Sequence, residues 1–251
     1  MNILLTNDDG IYAEGIYALY QELKKIGAVT VVAPDSEKSS VGHGITLAHP
    51  ILSKKVNRKG KPFGHAITGT PADCVKFAIA VVMKKKPDVV VSGINLGRND
   101  GCSVFYSGTV AGAREGCLLD IPALAISLVS FVNPNFTYSA QLGAKLTKLV
   151  YENKIPPKTF LNVNVPNLSQ KQIKGIKFTR QGTVPIHGTF AKRKDPNFRT
   201  YYWMGGHLPK MKDDLTVDTY ALARDYVTIT PTQCDMTDYK LLEQISQWKV
   251  H

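Results

Sequence analysis

Residues 2–10 read NILLTNDDG. An apolar run cut off by asparagine, aspartates and glycine describes a short buried strand that ends in a turn. The next segment, IYAEGIYALYQELKKIG at 11–27, places Ile11, Ile16, Leu19, Leu23 and Ile26 at helical spacing, with Gly27 as the C-cap. VTVVAP at 29–34 reads as a second strand closed by Pro34. Strand, helix and strand in this order make a βαβ unit, whose strands run parallel.

The alternation continues along the chain. A helical segment at 72–86 precedes DVVVSGIN at 88–95, and a helix at 107–117 leads into IPALAIS at 121–127. An amphipathic helix at 139–152 precedes TFLNVNVP at 159–166. This pattern predicts an α/β fold of three layers, with a mostly parallel central sheet and right-handed crossovers that place helices on both faces. After about residue 170 the pattern changes. KFTRQGTVPIHGTFAKRKDPNFRTYYWMGG at 177–206 mixes β-formers, basic residues and glycines, which fits strands or an extended hairpin. RDYVTITP at 224–231 reads as a returning strand and 235–250 as a terminal helix. The expected organisation is a core at 1–170, a β-rich extension at 171–223, and the returning strand and helix at 224–251.

Composition narrows the function classes. No stretch approaches eighteen uninterrupted apolar residues, and the first apolar run is too short for a signal peptide, so no membrane span and a cytoplasmic location are expected. Cys74, Cys102, Cys117 and Cys234 show no CxxC or CxxH spacing, which favours reduced thiols over a zinc site. The net charge of +11 is uneven: residues 145–212 carry fourteen Lys or Arg against Glu152 and Asp195. Such a region steers anionic substrates, binds nucleic acid, or is simply a solvated basic face. No GxGxxG follows the first strand, and GxxxxGK[ST], GxSxG and HExxH are absent, which disfavours dinucleotide, P-loop, serine-hydrolase and zincin chemistry.

The sharpest local signal is Asp8 next to Asp9. Two carboxylates after a buried strand repel unless they are exposed, hydrogen-bonded or neutralised by a cation, and hard oxygen donors suit Mg²⁺ or Mn²⁺. An ordinary Asn-Asp-Gly turn is the alternative. Polar groups recur after successive strands, where the loops of an open α/β sheet converge. DSEKSSVGHG at 35–44 offers Ser39 and Ser40, TGTPADC at 68–74 offers Thr68, Thr70 and Asp73, and SGINLGRNDG at 92–101 offers Ser92 and Asn95. YSGTVAGAREG at 106–116 sets Ser107, Gly108 and Thr109 at a helix start, where main-chain N–H groups hold phosphate. Asn7 joins these as a candidate phosphate contact.

In their order, ILLTNDDG, VVAPD, the serines at 39–40, TGTPADCV, PDVVVSGIN, YSGTVAGAREG, LNVNVP and DYVTITP resemble the stationary-phase survival protein SurE family of 5′-/3′-nucleotidases. The resemblance spans nearly the whole chain. It implies a Rossmann-like core and one divalent ion per subunit, Mg²⁺ or Mn²⁺, on Asp8, Asp9, Ser39 and Asn95. It also implies hydrolysis of nucleoside 5′- and 3′-monophosphates, with activity on short polyphosphate, and a homodimer or homotetramer that exchanges C-terminal elements. Asp8 and Asp9 are then the catalytic residues, as ligands, proton carriers or nucleophile. One departure is Ser40, which stands where the family pattern has glycine after the metal-binding serine. A nucleotide-using transferase is the enzymatic rival. Stable nucleic-acid binding is not expected, because converging carboxylate, amide and hydroxyl loops serve no purpose in it.

Overall fold

The computed structural model describes residues 1–185, 187–207 and 212–249. Ile186 and 208–211 of the predicted extension, and 250–251 of the C-terminal segment, lie outside the described residues. In chain order the strands are β1 (Asn2–Thr6), β2 (Ala28–Pro34), β3 (Ser53–Arg58), β4 (Lys61–Ile67), β5 (Val89–Leu96), β6 (Ala123–Val129), β7 (Thr159–Pro166), β8 (Ile176–Phe178), β9 (His187–Lys194), β10 (Thr200–His207) and β11 (Val227–Gln233). The α-helices are α1 (Glu14–Leu23), α2 (Pro71–Phe77), α3 (Gly108–Leu118), α4 (Thr137–Glu152), α5 (Asp218–Leu222) and α6 (Tyr239–Ile245).

Nine strands form one sheet in the order β3-β4-β2-β1-β5-β6-β7-β11-β8. From β4 to β7 every neighbouring pair is parallel, while β3 and β11 run antiparallel to β4 and β7. The six parallel strands therefore have the doubly wound order, in which the winding reverses between β1 and β5. Alternation along β1 decides the layers: Ile3 and Leu5 face one side and Leu4 the other. The first side packs on α1 and α4 through Ile16, Leu19, Leu23, Leu146 and Val150. The second packs on α2 and α3 through Val75, Val110, Ala113 and Cys117. The remaining two strands, β9 and β10, pair only with each other as an antiparallel hairpin.

Two expectations change in detail. The helix read at 72–86 keeps α geometry only to Phe77, widens into a π turn over Ala78–Val82, and is extended at Met83. Pro87 disfavours helical geometry at Lys86, so the segment unwinds before β5. The β3–β4 hairpin carried no strand signal, because an edge strand with exposed lysines lacks the apolar alternation that marks half-buried ones. Its turn is set by Lys59 and Gly60, both at positive φ, as a tight two-residue hairpin requires.

Candidate active site

Asp8 and Asp9 follow the carboxyl end of β1, and Asn95 lies at the carboxyl end of its neighbour β5, so all three stand at the switch point of the sheet. A cleft of about 490 Å³ opens there, lined by Asp8, Ser39, Asn95 and Ser107 from four separate segments. Residues spread over a hundred positions thus share one crevice.

The two carboxylates are held differently. Asp8 is 4% exposed, and its Oδ1 accepts a hydrogen bond from the Thr109 hydroxyl. Burial raises its pKa above the ordinary aspartate range, against the opposing pull of the Thr109 hydroxyl and main-chain N–H. Asp9 Oδ2 accepts from the Leu96 N–H at 3.1 Å. Its pKa is pushed up to about 7, by burial first and by the charge of Asp8 second. No Lys or Arg among the described residues neutralises the pair. A cation from outside the chain would stabilise the ionised pair.

The donor set fits a hard dication. Asn95 Nδ2 donates to the Gly97 carbonyl at 2.9 Å, which orients the amide and leaves its oxygen for a ligand. Ser39, whose hydroxyl donates to Glu37, adds another oxygen to the cleft wall. Among the described residues no group of three or more His, Cys, Asp or Glu side chains is placed to hold a metal. Two carboxylates with a hydroxyl and an amide make an all-oxygen set of the kind Mg²⁺ and Mn²⁺ take.

Helix α3 reaches the carboxylates because of its glycines. A Cβ on Gly108 would lie 2.8 Å from Asp8 Cβ and 3.0 Å from its Oδ2; on Gly112, 2.7 Å from Ser92 Oγ; and on Gly116, 2.7 Å from Val90. This stripe, repeating every four residues, lays the helix directly on β1 and β5. Ser107 caps it, its Oγ accepting from the Val110 N–H at 3.1 Å.

Five of the polar residues singled out in the sequence are engaged by contacts within the chain. Asn7 is fully buried and its Nδ2 donates to the Gly10 carbonyl at 2.9 Å, so its side chain braces the turn. Thr109 is fully buried with its hydroxyl on Asp8, which makes it a positioning residue for that carboxylate. Thr70 and Asp73 are consumed by a reciprocal cap of α2, and Thr68 accepts from the Leu52 N–H. Thr109→Val keeps the shape but removes this donor. The expected outcome is weaker cation affinity with little change in KM for a phosphate ester, checked by metal titration beside steady-state kinetics.

Comparison with known proteins gives the family. The family model described as Survival protein SurE matches residues 3–187. The chain belongs to the SurE family. It is 46% identical over 250 residues to a protein of Syntrophobacter fumaroxidans named 5′-nucleotidase SurE, covering 100% of both chains. A protein of the same name from Chlorobaculum tepidum is 42% identical, with 98% of this chain and 94% of that one covered. The crystal structure of SurE from Aquifex aeolicus superimposes with a TM-score of 0.86 at 40% identity, covering 98% of each chain.

This SurE-family chain supports its site with contacts that local sequence did not reveal. Ser40 has φ +59, the left-handed geometry that favours glycine. His43, on the same loop, is 2.8 Å from Glu115, which also pairs with Lys76 at 2.7 Å. Glu115 is buried in α3, so the serine loop is tied to the helix that carries Ser107. Asn162 and Asn164, buried in β7, grip Asn99: the Asn99 N–H donates to Asn164 Oδ1 at 2.7 Å, and Asn162 Nδ2 donates to the Asn99 carbonyl at 2.7 Å. They fix the loop after Asn95. Two asparagines alternating with apolar residues in LNVNVP were the available signal.

Proposed function

We propose that this chain is a divalent-cation-dependent phosphomonoesterase that hydrolyses nucleoside 5′- and 3′-monophosphates, with short polyphosphate as a further substrate. The observation that carries this reading is the convergence of Asp8, Ser39, Asn95 and Ser107 on one cleft at the switch point. The names of the Syntrophobacter and Chlorobaculum relatives support the substrate class.

A Mg²⁺ or Mn²⁺ ion on Asp8, Asp9, Ser39 and Asn95 would neutralise phosphoryl charge and polarise the phosphorus centre. The chain supplies the rest. In the first turn of α3, the Val110 N–H is taken by Ser107 and that of Thr109 by Asp8. The Gly108 N–H and the Ser107 hydroxyl hydrogen are the donors we assign to the phosphate, with the helix dipole behind them. Asp9, held by Leu96 through Oδ2 only, has Oδ1 available to take a proton from the attacking water. The water oxygen bonds to phosphorus as its proton passes to Asp9, the ester P–O bond breaks, and the leaving ribose oxygen takes a proton from solvent while Asp9 returns its own to solvent.

With AMP and no acceptor alcohol, adenosine and phosphate are expected in equal amounts, and a chelator should stop their release. Phosphate release that waits for an added acceptor would make the protein a transferase.

The assembly we propose is a homodimer or homotetramer that exchanges C-terminal elements. Phe190, Tyr202 and Trp203 on the β9–β10 hairpin are exposed, as are Leu241, Leu242 and Trp248 in and after α6. Large apolar groups of this kind mark interfaces. Sedimentation should give the mass of two or four chains; a single chain in solution would contradict it. Among the described residues no helix is long and apolar enough to cross a membrane.

A further inference from the structure

The crevice is polar at its floor and apolar at its rim. Phe131, Tyr106 and Met204 line it beside Asp8 and Ser107, yet they are 81%, 67% and 75% exposed. They come from three places: the turn after β6, the residue before the cap of α3, and β10. A single exposed apolar side chain is ordinary, but three around the mouth of one polar cleft describe a surface for a flat apolar ligand group.

Phe131 is also presented on a built turn. Asn167 Nδ2 donates to Ser130 Oγ at 3.0 Å and to the Asn133 carbonyl at 3.1 Å, while its Oδ1 accepts from the Asn135 N–H at 2.9 Å. The Ser130 hydroxyl donates to the Val132 carbonyl at 2.7 Å. Four hydrogen bonds therefore hold a turn whose central ring stands in water. Gly97 is cut to fit that ring: at φ +127 it has no side chain, and a Cβ would sit 3.1 Å from Phe131 Cζ. The ring thus packs on the loop that carries Asn95, next to the cation ligands.

We propose that Phe131, with Tyr106 and Met204 beside it, is the platform on which the base of the nucleotide stacks. This deepens the phosphomonoesterase reading and rests on it for the position of the phosphate. The crevice then selects phosphate esters whose alcohol carries a planar heteroaromatic ring, and stacking makes it tolerant of which base that is, because every base has a π-face. A cleft of about 490 Å³ lies within the range of small-ligand pockets, large enough for a mononucleotide.

The test compares AMP with ribose 5-phosphate, which keeps the phosphate and sugar and lacks the base. Phe131→Ala should lower kcat/KM for AMP by about ten- to a hundredfold, mainly through KM, and leave ribose 5-phosphate within about twofold. Phe131→Trp should retain the preference for AMP. Equal losses on both esters would assign Phe131 to folding or to an interface with a second copy of the chain, and no loss on AMP would remove it from recognition; either result overturns the proposal. Binding of adenosine, followed by saturation-transfer NMR, keeps the two readings apart. A wild-type protein that hydrolyses neither ester would end the phosphatase reading, while adenosine binding lost in Phe131→Ala would still uphold the platform and binding unaffected by it would not.

Discussion

Asp9→Asn is expected to lower phosphate release from AMP by at least about a hundredfold, and at the same time to raise the melting temperature of the chelator-treated protein at pH 8. The loss follows from the ligand set. A neutral amide is a poor donor to a hard dication, and one lost electrostatic contact at a reacting phosphoryl group costs about 3 kcal/mol. The gain in stability follows from the direction of the pKa shift. In the folded chain the Asp9 carboxyl is pushed from 3.8 up to about 7, because burial and Asp8 disfavour its charge. Its contribution to stability is therefore fully present below the unfolded value and is lost as pH rises to the folded one, leaving an unfavourable carboxylate at pH 8. Asparagine does not titrate and still offers an acceptor to the Leu96 N–H. The difference in melting temperature should shrink as pH falls toward 4, which scanning calorimetry measures. A variant less stable than the parent at pH 8 would show that ionised Asp9 has a partner in the cation-free state.

Gly108→Ala should be nearly as damaging to activity although it removes no functional group. The added methyl would sit 2.8 Å from Asp8 Cβ, 3.0 Å from its Oδ2 and 3.2 Å from the Lys38 carbonyl. Either Asp8 leaves its position under Thr109 or α3 lifts from β1, and both separate the carboxylate from the Ser107 cap. Overpacking of this kind costs roughly 1–3 kcal/mol in stability. A displacement of about an ångström at the reacting groups costs about a hundredfold in rate. The expected signature is a large fall in kcat/KM for AMP together with weaker Mn²⁺ binding in a protein that still folds. Unchanged kinetics would mean that α3 can shift without moving Asp8.

The layered core was legible because burial imposes a period. Ile3 to Leu5, Val89 to Val91 and Ala123 to Ile126 are continuous apolar runs, and Ile16, Leu19 and Leu23 repeat at helical spacing. The acidic turn and the cap at Ser107 were legible for a similar reason, since each is a local motif. What could not be read was which groups would meet. Thr109 lies 101 residues from Asp8 and Asn162 lies 63 from Asn99, so their hydrogen bonds depend on strand order. Asn7 read as a candidate phosphate contact, and the use of its Nδ2 by the Gly10 carbonyl was not visible in the sequence. Phe131 belongs to no local motif, and only the turn held by Asn167 places it at the crevice.

The central claim is that Asp8, Asp9, Ser39 and Asn95 form one cation site for phosphoester hydrolysis. Anomalous diffraction from crystals equilibrated with Mn²⁺ tests it most directly. The account predicts one strong peak per chain within coordination distance of these four side chains, absent in Asp9→Asn. A peak elsewhere, or none at a Mn²⁺ concentration that supports full phosphate release, would contradict it.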